Sequence, residues 1–338
     1  MFATATTYGS DKSGLIFGYL LAPDAVGRPV SGNEAVDWLA RDRASLTGGF
    51  IWLHFDLTNV AAEKWLREHL ALSPAFFEAV HEESRATRID YADGALIAII
   101  NDVLYDFAFE ATDIATLWVC ADERLVVSAR RKPLRSIDRL RASVRNGESF
   151  HSSAELMVHL LRDQADVLVQ ILRNAMTKVD EIEDSLLAGR LDHKRVNLGA
   201  LRRVLVRLQR VLAPEPAALF RLLNRPPGWV ADSDLQELRQ STEEFSAVLN
   251  DVAALLERIK LLQEEVASQV NEQNSRSLFL LTVFTVLALP INIIAGLFGM
   301  NVGGIPLAQN ERGFWIIVGL VTAFTVAALW IVFRRRRE

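Results

Sequence analysis

The hydrophobic positions divide the chain into a long part of mixed polarity and two uncharged stretches near its C-terminus. Residues 277–298 and 313–333 contain no charged side chain. Each stretch is about as long as the roughly 20 residues that a helix needs to cross a bilayer. The 14 residues between them are too few for a domain. The pattern therefore predicts a membrane hairpin of two transmembrane helices joined by a short loop at 299–312.

Residues 14–130 alternate between apolar runs of strand length and short amphipathic segments. Ser73 followed by Pro74 is typical of a helix N-terminus, with a capping serine and a proline at the first helical position. The pattern predicts strands at 15–22, 50–56, 95–105, 114–120 and 125–129, and helices at 34–41, 61–70 and 74–81. These elements indicate a compact α/β domain that ends near Pro133.

The remaining soluble sequence has helical periodicity. Ser152 with Glu155 forms a potential capping box that opens a helix running to 187, and a second helix is predicted at 196–212. Prolines then break the chain repeatedly, at Pro214, Pro216, Pro226 and Pro227.

From Asp232 onward apolar residues recur every three or four positions, and neither Gly nor Pro interrupts the pattern before Pro290. One helix of nearly seventy residues, about 100 Å long, is therefore predicted to continue into the first membrane span. It is either a mechanical lever or a passive stalk.

Basic residues set the predicted orientation of the hairpin. Arg276 precedes the first span and four arginines, 334–337, follow the second, whereas the loop contains only Arg312, offset by Glu311. Because positive charge favours the cytoplasmic side, both termini are predicted to be cytoplasmic and the loop to lie outside.

The first span carries a polar stripe. Helical spacing places four residues on one face and three more on its cytoplasmic extension: Thr285, Leu289, Asn292 and Gly296, then Leu278, Thr282 and Ser275. Such groups either line a pore formed by several copies or hydrogen-bond between packed helices. Two spans alone cannot enclose a water-filled path, so a pore requires an oligomer.

Charge and cysteine content exclude some classes of protein. The net charge is −5 overall and −8 over residues 1–276, which does not suit a nucleic-acid partner because phosphate binding needs clustered cations. Cys120 is the only cysteine, so no intrachain disulfide is possible, and its apolar surroundings predict a buried thiol. The polar N-terminus shows no apolar core of a signal peptide.

The first span ends in Ala295-Gly296-Leu297-Phe298-Gly299-Met300-Asn301, ahead of a short loop, a second span and a basic tail. This arrangement resembles the CorA family of divalent metal cation transporters, whose signature is Gly-Met-Asn at this place. The resemblance covers the whole chain and implies a homopentamer, shaped as a funnel on the cytoplasmic side, with the first span lining the pore. It also implies that Gly299, Met300 and Asn301 form the outer mouth, where the Asn301 carboxamides would contact a hydrated cation.

The continuation Val302-Gly303-Gly304-Ile305-Pro306 looks like the ZntB branch of that family, which handles zinc. This implies zinc transport across the bacterial inner membrane. A CorA-type channel for magnesium, cobalt or nickel is the alternative, and proton coupling stays open against gated-channel behaviour. No acid or histidine occurs in either span, so a proton relay through the bilayer has no evident carrier.

No zinc site is evident, because the six histidines lack close ligand spacing: His54, His69, His81, His151, His159 and His193. No cofactor is expected, only the transported ion.

The stalk acids Glu257, Glu264, Glu265 and Glu272 either form acidic rings in a pentamer or are solvated. No catalytic motif is present, so the protein is not predicted to be an enzyme, and a membrane-anchored signalling or scaffold protein is the alternative of another class.

The expected fold class is an α+β membrane protein. Its domains are a cytoplasmic α/β domain at 1–133, a helical pair at 134–231, a stalk at 232–276 and transmembrane helices at 277–298 and 313–333. The outer loop lies at 299–312 and the basic tail at 334–338.

Overall fold

The computed structural model describes residues 9–41, 48–82, 86–110, 113–188, 194–300, 306 and 310–334, with the backbone alone at 194–197, 329 and 331–333. The chain forms two compact units, Met1–Gln263 and Glu264–Glu338, called here the α/β unit and the C-terminal unit.

The α/β unit contains a seven-stranded mixed sheet in the order β2-β1-β3-β7-β6-β5-β4. Only β3 and β7 pair in parallel, in a register that places Ile51 opposite Leu125, and the other neighbours are antiparallel. The strands are β1 (Leu15–Ala22), β2 (Ala25–Pro29), β3 (Phe50–Asp56), β4 (Arg88–Ala92), β5 (Ala95–Val103), β6 (Ile114–Ala121) and β7 (Leu125–Arg130).

Nine helices lie among the described residues. Three short ones belong to the first half of the α/β unit: α1 (Gly32–Leu39), α2 (Val60–His69) and α3 (Pro74–His81). Then follow α4 (Arg135–Arg145), α5 (Ser153–Leu187), α6 (Lys194–Leu212), α7 (Pro214–Asn224), α8 (Asp232–Phe298) and α9 (Gly313–Arg334).

Alternation along the central strands gives the sheet two buried faces, because successive side chains point to opposite sides. Leu96, Ala98 and Ile100 of β5 pack on one side with residues of α4, α5, α7 and α8. Ile97 and Ile99 pack on the other side with α1, α2 and α3. The α/β unit is therefore a three-layer α/β/α arrangement, and its second helical layer comes from the part of the chain beyond residue 133.

Most predicted elements of this unit are confirmed to within two residues at their ends, and Ser73 caps α3 as predicted, accepting a hydrogen bond from the Ala75 amide. The thiol of Cys120 is buried, and burial raises its pKa to about 12.

Four elements were not predicted: β2, β4, α4 and α7. Strand β2 is mostly exposed and β4 contains one buried residue, so neither short strand shows a strong apolar pattern. Helix α4 has only three buried apolar residues, Ile137, Leu140 and Val144, among polar and charged ones. The predicted break is confirmed at Pro214, because α6 ends at Leu212 and Pro214 opens a new helix, where its missing N–H costs nothing. Pro216 does not interrupt the chain, since it lies in the first turn of α7.

The capping box at α5 is only half formed. Ser152 Oγ accepts a hydrogen bond from the Glu155 amide at 2.9 Å, as predicted. The Glu155 carboxylate, however, accepts from the backbone amide of His151 rather than from that of Ser152.

The prediction of one uninterrupted helix beyond residue 232 is confirmed. Helix α8 contains 67 residues and continues through Pro290. It begins at Asp232 and ends at Phe298, the last residue of the first uncharged stretch, and α9 begins at Gly313, the first residue of the second.

Candidate functional site

The predicted polar stripe lies along the apolar part of α8, within the C-terminal unit. In the single chain each of its residues is exposed to solvent: Ser275, Leu278, Thr282, Thr285, Leu289, Asn292 and Gly296. Leu278 and Leu289 keep 63% and 58% of their surface accessible, and apolar residues on other sides of the segment, such as Phe284, are also exposed. This face is therefore uncovered within one copy of the protein.

The opposite face of the same helical segment is partly covered. Val283, Leu287, Ile291 and Ile294 are half-buried, and their spacing puts them on the side of α8 away from the stripe. On α9, half-buried residues also recur with helical spacing, at Ile317, Val321, Thr325 and Ala328. Both sets belong to the same compact unit, and the stripe lies on the side of α8 that faces away from its own half-buried residues.

The threonines of the stripe already use their hydroxyl hydrogens. Thr282 Oγ1 donates to the Leu278 carbonyl at 2.8 Å and Thr285 Oγ1 to the Leu281 carbonyl at 2.9 Å. The two threonine oxygens keep lone pairs that can accept, and Asn292 offers a carboxamide oxygen as well as two N–H donors. Acceptor oxygens suit a hydrated cation or a cation's own coordination shell.

Glycines mark the C-terminal end of this face. A Cβ atom at Gly296 would meet nothing within 4 Å, whereas one at Gly299 would lie 3.0 Å from the Ala295 carbonyl oxygen. The Gly299 amide donates to that same oxygen at 2.9 Å, which closes the helix. Met300 is exposed, and the predicted selectivity residue Asn301 lies outside the described residues, as do 302–305.

Aromatic side chains lie near both ends of α9. Phe314 and Trp315 are in contact, with ring centroids 5.5 Å apart, and the Arg334 guanidinium lies over the Trp330 ring at 5.0 Å. Exposed aromatic residues beside a basic residue are typical of segments that meet a membrane–water interface.

Length and composition make α8 the one helix, among the residues that the structure describes, that is able to cross a bilayer. A shorter apolar stretch, Gly313–Ala328, lies in α9.

The described residues contain no group of three or more His, Cys, Asp and Glu side chains placed to hold a metal ion. Four histidines contact neighbours in a way that explains them structurally. His54 is buried in the sheet, His69 stacks on Trp65, His81 bonds to Phe77 and Glu63, and His151 pairs with Glu155. His159 belongs to a cluster of charged residues, with Glu148 at 2.8 Å and Asp163 at 4.0 Å, and Asp163 in turn pairs with Arg139 at 3.2 Å. His193 lies outside the described residues.

His54 belongs to a buried network at the centre of the sheet. Arg130 Nε donates to His54 Nε2 at 3.0 Å, so the imidazole hydrogen lies on Nδ1 and is donated to Ser128 Oγ, 2.8 Å away. Burial, reinforced by the charges of Arg130 and Arg141, lowers the pKa of His54 well below its usual value. The ring is therefore a neutral structural element and not a metal ligand.

A second buried network joins β5, α5 and α7. Gln164 Nε2 donates to the Asn101 carbonyl at 2.8 Å and to Glu215 Oε2 at 3.1 Å. Nearby, Asp102 accepts hydrogen bonds from the backbone and the hydroxyl of Ser136. Sequence reasoning missed Glu215, whose only signal is an acidic residue directly after the proline that opens α7.

The stalk acids Glu257, Glu264, Glu265 and Glu272 are exposed. Exposure is compatible both with acidic rings in a pentamer and with solvated side chains. Glu257 pairs with Lys260 at 3.0 Å, and Glu265 accepts from Gln269 at 3.0 Å. Arg258 does not neutralise the glutamates of its own helix, because its guanidinium pairs with Asp180, at 2.7 Å, and with Glu183, both on α5.

Comparison with known proteins agrees with this arrangement. The profile of a family described as CorA-like Mg²⁺ transporter protein matches residues 47–336. The divalent cation transporter CmaX of Pseudomonas aeruginosa is 30% identical over 336 residues, which cover 97% of each chain. The zinc transport protein ZntB of Yersinia enterocolitica is 23% identical over 304 residues, covering 89% of this chain and 92% of its own.

Solved structures show the same similarity. The full-length CmaX protein matches with a TM-score of 0.80 at 29% identity, covering 98% of this chain and 100% of that one. The CorA magnesium transporter of Methanocaldococcus jannaschii matches with a TM-score of 0.75 at 20% identity, covering 94% and 97%. At that identity the second likeness concerns the fold alone.

Proposed function

The chain belongs to the family of CorA-like transporter proteins, and from that premise we propose that it carries a divalent metal cation, zinc, across a membrane. In this proposal five copies surround a pore that the polar stripe of α8 lines. Asn301 supplies carboxamide oxygens at the outer mouth. The protein is a transporter and not an enzyme.

The single observation that carries the proposal is the uncovered stripe on α8. Its oxygen acceptors and its exposed leucines face away from the half-buried side of α8, and the stripe ends just before Gly299-Met300. A polar face directed into lipid is costly, so copies of the same face are expected to meet around a common axis. A ring of copies converts one polar stripe into a continuous path.

The residues of the stripe have separate roles in this path. Asn292 and Thr285 form polar rings, and Leu289 forms an apolar constriction that gates by losing its water. Neutral oxygens at Asn301 hold the hydration shell of a divalent ion without trapping the ion, as carboxylates would. Gly296 and Gly299 let neighbouring backbones approach closely at the mouth.

Zinc is chosen over magnesium on two grounds. The relative ZntB is a zinc transport protein, and the residues after Asn301, Val302 to Pro306, resemble that branch. A magnesium channel is the second candidate, favoured by the description of the family. Cobalt and nickel remain within the same class of substrate.

The proposed topology has two transmembrane helices, at 277–298 and 313–333, with the loop 299–312 outside and both termini in the cytoplasm of a bacterial inner membrane. The proposed cytoplasmic parts are the α/β domain 1–133, the helical pair region 134–231, the stalk 232–276 and the tail 334–338. In the pentamer, Glu257, Glu264, Glu265 and Glu272 form acidic rings that concentrate cations.

The function is tested by ion flux into liposomes that contain the purified full-length protein. Zinc, magnesium, cobalt and nickel are offered separately, with and without a pH gradient. Zinc uptake is expected, and acceleration by an inward proton gradient would identify proton coupling. Absence of flux for all four ions would overturn the transporter proposal, and magnesium flux without zinc flux would overturn the choice of ion. Native mass spectrometry of the same preparation should give five chains per particle.

A further inference from the structure

A cavity of about 40 Å³ lies in the α/β unit, between the sheet and the beginning of α8. Strand β5 contributes Leu96 and Ile100 to its wall, α5 contributes Val158 and Leu161, and α8 contributes Leu238. All five side chains belong to the hydrophobic core on that side of the sheet. The cavity is therefore a space within the core rather than a groove on the surface.

The wall of this cavity offers almost nothing that a water molecule could bond to. Among the described residues that line it, only Asp234 is charged. Asp234 Oδ2 already accepts a hydrogen bond from Ser152 Oγ at 2.6 Å. A buried water needs two to four polar partners, whereas apolar cavities stay dry and take up apolar guests. The lining therefore selects against water and ions and favours an apolar molecule.

We propose that this cavity binds one small apolar molecule, of the class of xenon or a hydrocarbon of about three carbon atoms. A buried water occupies about 10–15 Å³ of such space, so a cavity of 40 Å³ holds about three groups of that size. Size therefore excludes lipid acyl chains, and the apolar lining excludes metal cations.

The bound molecule gains contacts that the protein leaves unmade. Side chains around a cavity lack contact atoms on one side, so each forfeits part of its dispersion energy. An apolar guest restores these contacts, including those of Leu235 and Leu238 in the first two turns of α8. The cavity lies wholly in the α/β unit, apart from the stripe on α8, so its test does not depend on the transport proposal.

Trp229 provides a route into the cavity from solvent. Its side chain lines the cavity and also two open clefts, of about 370 and 590 Å³. A buried tryptophan N–H usually has a hydrogen-bond partner, but Trp229 Nε1 finds none among the described residues. A rotation of the indole ring towards the clefts therefore breaks no hydrogen bond and opens the cavity.

The test uses crystals of the full-length protein held under xenon pressure, with xenon located by its anomalous scattering. One xenon peak per chain is expected, in contact with Leu96, Leu161 and Leu238. Ordered water density in the cavity would overturn the proposal, as would the absence of a xenon peak at this place. This measurement needs no variant, so it holds even where a substitution impairs folding.

Two matched variants of α5 supply the second measurement. Ala154 and Ala165 are each 7% exposed, and of the two only Ala154 lines the cavity. Ala154→Val adds two methyl groups that fill the space, so the xenon peak should disappear. Ala165→Val overpacks a filled position, so it should keep the xenon peak and melt at a lower temperature than Ala154→Val. An unchanged xenon peak in Ala154→Val would contradict the assignment.

Discussion

Gln164 on α5 holds the carboxyl group of Glu215 in the first turn of α7 by a hydrogen bond of 3.1 Å from Nε2 to Oε2. Both side chains are buried, since Glu215 is 0% and Gln164 is 2% exposed. Burial raises the pKa of Glu215 to about 8, and the nearby charge of Asp102 acts in the same direction. The acid is therefore protonated in the folded protein at neutral pH.

This burial makes stability depend on pH. An unfolded chain releases the Glu215 proton near the ordinary value of 4.5, whereas the folded chain keeps it until about pH 8. Between these values the unfolded state binds fewer protons, so stability falls as pH rises, by about 1.4 kcal/mol per pH unit for one proton. Glu215→Gln should remove this part of the slope and be more stable than the parent at pH 8.

Thermal unfolding of parent and variant at pH 5, 6, 7 and 8 checks this prediction. Asp102, whose pKa burial raises to about 6, contributes a slope of the same sign to both proteins, so the difference between them isolates Glu215. Equal slopes in the two proteins would show that Glu215 is ionised in the fold.

Ser128 is the shared acceptor of the network around His54, and we expect Ser128→Ala to destabilise the α/β unit. In the parent, the buried N–H groups of Trp52 and His54 donate to Ser128 Oγ at 2.9 and 2.8 Å. The substitution leaves both N–H groups without that acceptor. Each unsatisfied group costs about 1–3 kcal/mol. Ser246→Ala is the control, because the Ser246 hydroxyl serves only the Thr242 carbonyl of its own helix. Similar melting temperatures for the two variants would contradict the network.

Thr285→Val tests the pore stripe with a built-in comparison. Thr285 on α8 and Thr325 on α9 both donate to the carbonyl four residues earlier, at 2.9 and 2.8 Å, but only Thr285 belongs to the stripe. Valine conserves shape and removes the acceptor oxygen. Zinc flux should fall several-fold in Thr285→Val and stay near the parent rate in Thr325→Val. Equal fluxes in both would remove the stripe from the ion path.

Asn301→Ala should abolish most transport while the assembly stays intact. The change removes five carboxamides from the proposed mouth, and position 301 lies outside both predicted membrane helices, 277–298 and 313–333. Flux is measured in liposomes and the oligomer by native mass spectrometry. Parent-like flux in a variant that still forms the oligomer would remove Asn301 from the selectivity role.

Membrane topology can be mapped by labelling introduced cysteines, because the only native cysteine, Cys120, is buried. With its pKa raised to about 12 by burial, Cys120 should not react with maleimides in the folded protein. Asn310→Cys should be labelled in intact cells by a membrane-impermeant maleimide, and Glu272→Cys only after permeabilisation. Labelling of Glu272→Cys in intact cells would reverse the proposed orientation.

Sequence patterns were sufficient where an apolar run is continuous or an apolar period is long. The strands β1 and β3 and the helix α8 carry long apolar patterns, so they were located closely. Helix α7 was missed because a proline has opposite meanings inside a helix and at its first turn. Strand β2 was missed because its side chains are mostly exposed and its partner β1 determines its position.

The stripe on α8 could be predicted because all its members lie on one helix with a fixed period. The cluster of His159 could not, since Glu148, Asp163 and Arg139 reach it from a loop and two helices whose packing is a tertiary property. The spacing of His159 and Asp163 was the one available signal.

The parallel pairing of β3 with β7 also dictates an order of events during synthesis. Ile51 meets Leu125 only after 74 further residues have been made, whereas β5, β6 and β7 form from neighbouring segments. The sheet therefore cannot close before residue 130 leaves the ribosome. It can close long before residue 277 exists. A nascent chain can thus shelter its most aggregation-prone strands before its first apolar helix requires delivery to a membrane.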